Sequence, residues 1–312
     1  MNFFDLHCDT LYKAVTEKSE LDNSSYEVKL NNDSESHKLQ CYAIWLPDEL
    51  DGNEAENLFF KSAEYLKSEC NRLGIELFGI GEFLDNAFSK HRNSAFFTVE
   101  NGKALNGKIE NVKRFAELGV RIMTLTWNDN NEIGSGVLSK DKCGLTDFGK
   151  LAISEMEKYG NVIDISHASD ELFYDVANQT NKPFIATHSN SRTVTRNPRN
   201  LTDEQIKIII SRGGIIGLNL HNAFLNNNPD KACTEDILRH CEYMLSLGCE
   251  NFLCFGTDFD GCDLPKDIVG SDSIGGIYEL FLKNNYNESI LKKIFYENAY
   301  KFFENFDNQR IM

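Results

Sequence analysis

Short apolar runs recur along the chain at intervals too long for hairpins, and amphipathic segments separate several of them. This alternation predicts strands joined by helices, and therefore an α/β fold. We expect eight strands: Phe3–His7, Leu39–Leu46, Ala95–Glu100, Arg121–Trp127, Asn161–His167, Phe184–His188, Ile215–Leu220 and Phe252–Asp258.

Two of the intervening helices have clear boundaries. The first is predicted to begin after Thr146 and to end at Gly160, with one buried face formed by Phe148, Leu151, Ala152, Met156 and Tyr159. The second is predicted to follow the capping box Thr202-Asp203-Glu204-Gln205 and to end at Gly213, with a buried face formed by Ile206, Ile209 and Ile210. Both helices lead directly into a predicted strand.

Eight strands separated by helices permit a closed (β/α)8 barrel of the TIM type or an open doubly wound sheet, and periodicity does not separate the two. The chain of 312 residues exceeds the usual length of one domain. However, α/β barrels routinely run past about 250 residues as one domain. We therefore expect a single barrel domain over residues 1–312.

Composition narrows the possible partners and the compartment. The 32 basic and 48 acidic residues give a net charge of −16 without a cluster of Lys and Arg, so we expect neither nucleic acid nor a membrane as a partner. Nine cysteines, an odd number without a C-x-x-C pair, indicate reduced thiols. The N-terminal residues lack the features of a signal peptide, and we expect a cytoplasmic protein.

Five predicted strands lead into residues that bind metals or move protons. His7-Cys8-Asp9 ends the first strand, and Glu100 ends the third. The strands that end at His167 and His188 each carry a small hydroxyl residue before the histidine, and Asp258 ends the last strand. Each residue alone has a commoner explanation as a surface carboxylate or a buried core histidine.

A closed barrel would bring these residues together, because the C-terminal ends of its strands lie on one face. Five ligands with one shared carboxylate would serve two divalent ions about 3.5–4 Å apart, a pair that can ionise a bridging water near neutral pH. An open-sheet phosphate-binding protein would instead need a glycine-rich loop between a strand and a helix, for which Gly134-Ser135-Gly136 is the nearest match. The convergence of these residues in a closed barrel therefore favours the barrel over the open sheet.

The chemistry-bearing residues and their surroundings resemble the membrane dipeptidase (renal dipeptidase) family of metallopeptidases, within the amidohydrolase-like metal-dependent hydrolases. The resemblance spans nearly the whole chain. It rests on Asp5-Leu6-His7-Cys8-Asp9-Thr10, Glu100-Asn101-Gly102, Leu125-Thr126, Gly144-Leu145-Thr146 with Phe148-Gly149, Glu155-Met156, Asp164-Ile165-Ser166-His167, His188-Ser189, Pro198-Arg199-Asn200, Gly213-Gly214, and Gly256 with Asp258-Phe259-Asp260-Gly261.

The resemblance implies a site with two divalent metal ions, expected to be Zn²⁺, and a hydroxide between them. It implies that Asp258 is the acid/base residue that faces this hydroxide. The implied ligands are His7 and Asp9 for one ion, His167 and His188 for the other, and Glu100 for both.

Three arginines, Arg192, Arg196 and Arg199, follow His188 in one segment. The resemblance implies that Arg199 holds the substrate carboxylate, which a guanidinium fork can bind through two hydrogen bonds. From the residues alone the three arginines are not distinguished, and surface salt bridges are an alternative for each.

The chain departs from the mammalian kidney enzyme at Trp127, where that relative carries a histidine thought to bind substrate or to stabilise the oxyanion. An indole N–H donates one hydrogen bond but cannot carry a proton charge. Trp127 and the neighbouring Asn128 are therefore candidates for substrate contacts, although asparagine-rich segments are more often turns.

The resemblance as a whole implies a zinc-dependent dipeptidase that hydrolyses the peptide bond of a dipeptide, its small-molecule substrate, while Asp258 passes a proton to the leaving amine. One alternative is the same site acting on another amide, an N-acyl amino acid, a lactone or an ester. An alternative of another class is a catalytically silent barrel that binds a ligand. Members of the family often form dimers, so a homodimer is open by analogy.

Overall fold

A curved sheet of parallel strands forms the centre of the molecule. The computed structural model describes residues 1–30, 35–82 and 93–311. Seven strands follow one another in the order β6-β5-β4-β2-β1-β8-β7, and the short β3 pairs with β4 beside this path. The strands are β1 Phe3–Cys8, β2 Lys38–Trp45, β3 Glu76–Leu77, β4 Asn93–Glu100, β5 Val120–Thr124, β6 Val162–Asp164, β7 Ile216–Leu218 and β8 Leu253–Phe255.

The predicted strand at residues 184–188 closes this sheet into a ring. Ile185 pairs with Asp164 at the end of β6, and Ala186 pairs with Ile216 at the start of β7, each through a single parallel bridge. The segment thus occupies the position between β6 and β7. The fold is the (β/α)8 barrel that the alternation and the chemistry of the strand ends predicted, with β3 as an addition too short to show a periodic pattern.

Several strands end earlier than predicted. The predicted strand Asn161–His167 is reduced to β6, and Phe252–Asp258 is reduced to β8. Three residues beyond the end of each strand, His167 and Asp258 have φ angles of 68° and 65°, outside the extended conformation of a strand. These two side chains are therefore carried by irregular segments that follow the strands.

Helices cover the outside of the ring. They are α1 Thr10–Glu17, α2 Gly52–Leu73, α3 Glu110–Glu117, α4 Asp147–Tyr159, α5 Asp170–Gln179, α6 Asp203–Ser211, α7 Asn222–Leu225, α8 Thr234–Ser246, α9 Ile274–Lys283, α10 Glu288–Lys292 and α11 Asn298–Ile311. None of the helices in these described parts of the chain is long and apolar enough to cross a bilayer.

The two helices predicted in detail have the expected ends. Thr146 caps α4, and Gly160 ends it in the left-handed conformation. Thr202 and Gln205 form the predicted capping box of α6. One buried position was wrong: Leu151 of α4 is 58% exposed, because the buried face is formed by Gly149, Ala152, Ile153 and Met156, and Leu151 lies on the opposite side of the helix.

Residues from nearly every strand meet inside the ring. This inner cluster joins Phe4, Leu39, Phe96, Ile122, Ile185 and Cys254 to Phe302, Phe303 and Phe306 of α11. Phe4 and Phe303 stack with ring centroids 5.6 Å apart. Beside them the buried Arg121 forms an ion pair of 3.0 Å with Asp307 of α11. The helix α11 therefore closes the end of the ring opposite the C-terminal ends of the strands.

Candidate metal centre

Six ionisable side chains meet at the C-terminal ends of the strands. Their residues are all between 0% and 9% exposed, which is rare for charged groups without partners. The strands supply them in turn: His7 near the end of β1, Asp9 after it, Glu100 at the end of β4, and His167, His188 and Asp258 after later strands. The ring closure thus brings together residues that are up to 251 positions apart in the numbering, from 7 to 258.

Glu100 lies between two groups of ligand atoms. Its Oε1 is 2.8 Å from His167 Nε2 and 3.4 Å from His188 Nε2. Its Oε2 is 3.6 Å from His7 Nε2, which is itself 3.4 Å from Asp9 Oδ2. Two sets of donor atoms within 4.8 Å of one another share this carboxylate, namely His7, Asp9 and Glu100, and Glu100, His167 and His188.

An irregularity in β1 turns His7 toward this centre. The pairing with β2 moves from Asp5 opposite Gln40 to Cys8 opposite Tyr42, so three steps along β1 match two along β2. Such an extra residue re-aims the side chains that follow it. Cys8 faces away from the centre, since its Sγ donates to the carbonyl of Cys41 at 3.4 Å.

Two histidines have defined partners on the ring nitrogen that faces away from Glu100. His167 Nδ1 lies 3.1 Å from the amide oxygen of Asn128. His188 Nδ1 lies 2.7 Å from the hydroxyl oxygen of Thr187. Imidazoles that bind metals through Nε2 usually donate Nδ1–H to such an oxygen. Asn128, predicted as a substrate contact, lines the cavity but is also the partner of His167.

Asp258 is held by one carboxylate oxygen. Asn219 donates from Nδ2 to Asp258 Oδ2 at 2.9 Å, while Asp258 Oδ1 lies 3.7 Å from His7 Nε2. Burial works against the charged form, but the neighbouring His188 and His7 outweigh it and keep the pKa of Asp258 below its usual value. One oxygen of an ionised carboxylate is therefore left facing the centre.

The ionisable groups of the centre shift one another's pKa values in opposite directions. Burial and the neighbouring Glu100 raise the pKa of Asp9. Burial disfavours a charged imidazole at His7, yet Glu100 and Asp9 raise its pKa well above the usual range. By contrast, burial and the nearby Arg199 lower the pKa of His167 to about 3. The half of the centre around Asp9 attracts positive charge, which a metal cation can supply.

The donor atoms of the centre fit a bound metal ion. Among the described residues, His7 Nε2, His188 Nε2 and Asp9 Oδ1 are buried without a hydrogen-bond partner. Buried polar atoms without a partner are rare in folded proteins unless an ion or water satisfies them. A Cβ on Gly261 would lie 1.9 Å from Asp9 Oδ2, so only glycine leaves that carboxylate in place. Nitrogen and carboxylate donors suit zinc.

A cavity of about 490 Å³ opens above the centre. Arg199 lines it, is 6% exposed, donates to the carbonyl of His188 at 3.4 Å and lies over the ring of Phe224 at 5.2 Å. Arg192 instead forms two hydrogen bonds of 2.8 Å with Asp170, and Arg196 is exposed. Of the three arginines, the structure places only Arg199 at the cavity.

Aromatic side chains form one wall of the cavity. Trp45 contacts Tyr12 and Trp127, with ring centroids 4.8 Å apart in both pairs. The ring of Trp127 lies 6.1 Å from that of His167. We call Tyr12, Trp45 and Trp127 the aromatic wall. This wall places Trp127 beside the predicted metal ligands.

Sequence reasoning did not find Tyr12, Trp45, His221 or Asn219. The first three line the cavity, and Asn219 positions Asp258. Tyr12 lies on an amphipathic helix and Trp45 in an apolar strand, where aromatic residues are ordinary core residues. Asn219 follows β7 and interrupts an otherwise apolar run. A polar residue within such a run is a sign of a buried polar contact.

The chain is similar to known proteins over most of its length. A family model described as membrane dipeptidase (peptidase family M19) matches residues 1–310. An uncharacterized Klebsiella pneumoniae protein in the pqqA 5′ region is 31% identical over 217 residues, which are 66% of this chain and 80% of that protein. An uncharacterized dipeptidase of Schizosaccharomyces pombe is 27% identical over 209 residues, but the match spans only 50% of its length.

Solved structures share the fold. A metallo peptidase from Rhodobacter sphaeroides, liganded with a phosphinate mimic of the dipeptide L-Ala-D-Ala, has a TM-score of 0.88 at 22% identity and covers 97% of this chain and 99% of its own. The probable dipeptidase PvdM from Pseudomonas aeruginosa has a TM-score of 0.86 at 16% identity, with 99% and 96% covered.

Proposed function

Since the chain belongs to the membrane dipeptidase family of metallopeptidases, we propose that it is a zinc-dependent dipeptidase that hydrolyses the peptide bond of dipeptides. The observation that carries the proposal is the position of Glu100 between two sets of donor atoms, His7 with Asp9 and His167 with His188. A carboxylate with one oxygen toward each set suits a pair of metal ions.

His7 and Asp9 would hold one ion, His167 and His188 the other, and Glu100 both. When bound, two zinc ions would supply a bridging hydroxide as nucleophile and would polarise the scissile carbonyl. Asp258 would accept a proton at Oδ1 and pass it to the leaving amine, a role supported by the hydrogen bond from Asn219 to its other oxygen.

Arg199 and the aromatic wall would orient the substrate. A guanidinium fork binds a carboxylate through two hydrogen bonds, which fits the C-terminal end of a dipeptide. Burial lowers the pKa of Arg199 from its usual value. A guanidinium group does not lose its proton in proteins, so Arg199 carries a positive charge. Trp127 and Trp45 offer apolar surface for a side chain, and Asn128 borders the same space. The Rhodobacter sphaeroides relative with a bound dipeptide mimic supports this class of substrate.

A substrate panel with metal control tests the proposal. The purified protein should hydrolyse dipeptides, lose activity with a chelator and regain it with zinc. The panel should include N-acyl amino acids, other amides, lactones and esters. Faster hydrolysis of one of those classes would assign the same centre to another bond, and metal binding without any hydrolysis would favour a silent binding barrel. Full dipeptidase activity of metal-stripped protein would refute the metal mechanism.

We also propose that residues 1–312 form one domain, because β1 and α11, from opposite parts of the chain, pack in one inner cluster. A homodimer and a cytoplasmic location stay predictions from the sequence.

A further inference from the structure

A buried aspartate connects three strand ends beside the metal centre. Asp164 Oδ1 accepts from the backbone N–H groups of Ser166 and Thr187, both at 2.9 Å. Its Oδ2 accepts from the hydroxyls of Thr124 at 2.6 Å and Thr187 at 2.5 Å. Four donors thus saturate a carboxylate that is 0% exposed.

The opposite side of the ring carries a matching arrangement. Asp5 accepts from His7 N at 3.3 Å, from Thr257 N at 2.8 Å, and from Thr257 Oγ1 at 2.6 Å. Gln40 completes it through Nε2 at 2.8 Å. In both arrangements the aspartate binds the N–H and the hydroxyl of a threonine that directly precedes a residue of the centre.

Only one of the two threonines touches an imidazole. Thr187 Oγ1 lies 2.7 Å from His188 Nδ1. The single hydroxyl proton of Thr187 has Asp164 Oδ2 as its shortest acceptor, at 2.5 Å, whereas Ser166 Oγ lies at 3.3 Å. With its proton given to Asp164, the Thr187 oxygen can only accept, so the proton between it and His188 belongs to Nδ1.

The surrounding backbone keeps Thr187 in place. A Cβ at Gly217 would lie 1.9 Å from the Thr187 carbonyl oxygen, and a Cβ at Gly256 would lie 1.7 Å from it. Two glycines on neighbouring strands therefore allow the backbone to approach Thr187 closely. Packing therefore holds the backbone of Thr187, and hydrogen bonds hold its hydroxyl.

We propose that Asp164 and Thr187 are positioning residues that hold His188 in the tautomer with its proton on Nδ1. His188 Nε2, which is buried and lies 3.4 Å from Glu100 Oε1, then presents a lone pair to the metal centre. The functional meaning of this tautomer rests on the proposed metal binding. The tautomer itself is a property of the metal-free protein.

Removing the hydroxyl tests the inference. In Thr187→Val, His188 Nδ1–H loses its acceptor, and we expect the ring to populate both tautomers. Loss of an outer hydrogen-bond partner typically weakens metal binding by about 10–100-fold. Thr187→Ser keeps the hydroxyl and should restore both properties. Thr257→Val is the matched control, because it removes the equivalent bond to Asp5 without touching an imidazole.

Two measurements separate the inference from the proposed function. Ring ¹⁵N chemical shifts of the metal-free protein, with His188 assigned by its loss in His188→Gln, report the tautomer. Competition with a chromophoric chelator reports the affinity for zinc. An Nε2–H tautomer in the wild type, an unchanged tautomer in Thr187→Val, or an equal loss of affinity in Thr257→Val would each overturn the inference. Absence of metal binding by the wild type would instead overturn the proposed function.

Discussion

Oε1 of Glu100 lies 2.8 Å from Nε2 of His167, while Oε2 of the same carboxylate faces the His7 side of the centre. One side chain therefore serves both sets of donor atoms, and we expect its loss to affect both metal ions together. In Glu100→Gln, metal content measured by atomic emission should fall for both ions. Activity should drop by roughly 100-fold or more, because loss of a ligand should cost more than loss of a residue that only hydrogen-bonds to a ligand.

A matched control is Glu117→Gln, which removes an exposed carboxylate on α3. It should keep full metal content. Two tightly bound ions in Glu100→Gln would show that this carboxylate does not bridge them.

Gly261 should be required for steric reasons. An added Cβ would lie 1.9 Å from Asp9 Oδ2, so Gly261→Ala must displace that carboxylate. We expect weaker binding of the ion on the His7 side, measured by titration with zinc. Gly275→Ala is the control, because nothing lies within 4 Å of its added Cβ. Unaltered binding of both ions in Gly261→Ala would remove Asp9 from the ligand set.

Asp258 should be required for proton transfer and not for binding of the metal ions. Asp258→Asn keeps the shape of the side chain but cannot accept a proton, and general acid–base catalysis contributes about 10²–10⁴-fold. We expect kcat for a dipeptide to fall within that range while both ions stay bound. The exposed Asp263 provides the control in Asp263→Asn. A kcat like that of the wild type would exclude Asp258 from proton transfer.

The forked guanidinium group of Arg199 should control substrate binding. Arg199→Lys keeps the charge but loses the paired hydrogen bonds, and bonds to charged groups contribute about 1.5–3 kcal/mol. We expect kcat/KM for dipeptides to fall by roughly 10–100-fold. Hydrolysis of an amide substrate without a terminal carboxylate should change little. The exposed Arg196 is the matched control, and a larger loss in Arg196→Lys would assign carboxylate binding to it instead.

His240 should make stability depend on pH. Its Nδ1 accepts from Ser191 N and its Nε2 contacts the carbonyl of Leu225, both at 3.2 Å. Burial lowers its pKa from 6.5 to about 4. Between these values the unfolded chain binds more protons than the folded one, so stability is present above pH 6.5 and is lost as the pH falls toward 4.

At about 1.4 kcal/mol per pKa unit, His240 contributes roughly 3 kcal/mol to the free energy of unfolding above pH 6.5. Urea unfolding near neutral pH and at about pH 5 measures it, because the loss of stability on acidification should be smaller in His240→Gln. An equal loss in both proteins would show that other groups carry the pH dependence.

The strand ends could be predicted because their chemistry is local. His167 and His188 each end an apolar run, and the closed ring is the arrangement that brings such ends together. Contacts made across the ring had no local pattern. Asn219 meets Asp258 only after β7 and β8 pair, and the bulge that re-aims His7 depends on the register with β2.

The lengths of the strands were harder to predict than their existence. His167 and Asp258 follow apolar residues that read as a continuing strand, but both take positive φ angles. The exposed Leu151 shows a similar limit for helices, since an apolar residue within the helix does not have to belong to its buried face.

The helix α11 fills one end of the ring with Phe302, Phe303 and Phe306, while the metal centre lies at the other. Within the described residues, the cavity beside the centre opens at that other end, where Trp127 and Arg199 line it. Loops around this opening can be exchanged without disturbing the packed end of the barrel. The selectivity of the centre can therefore be redesigned separately from the stability of the fold.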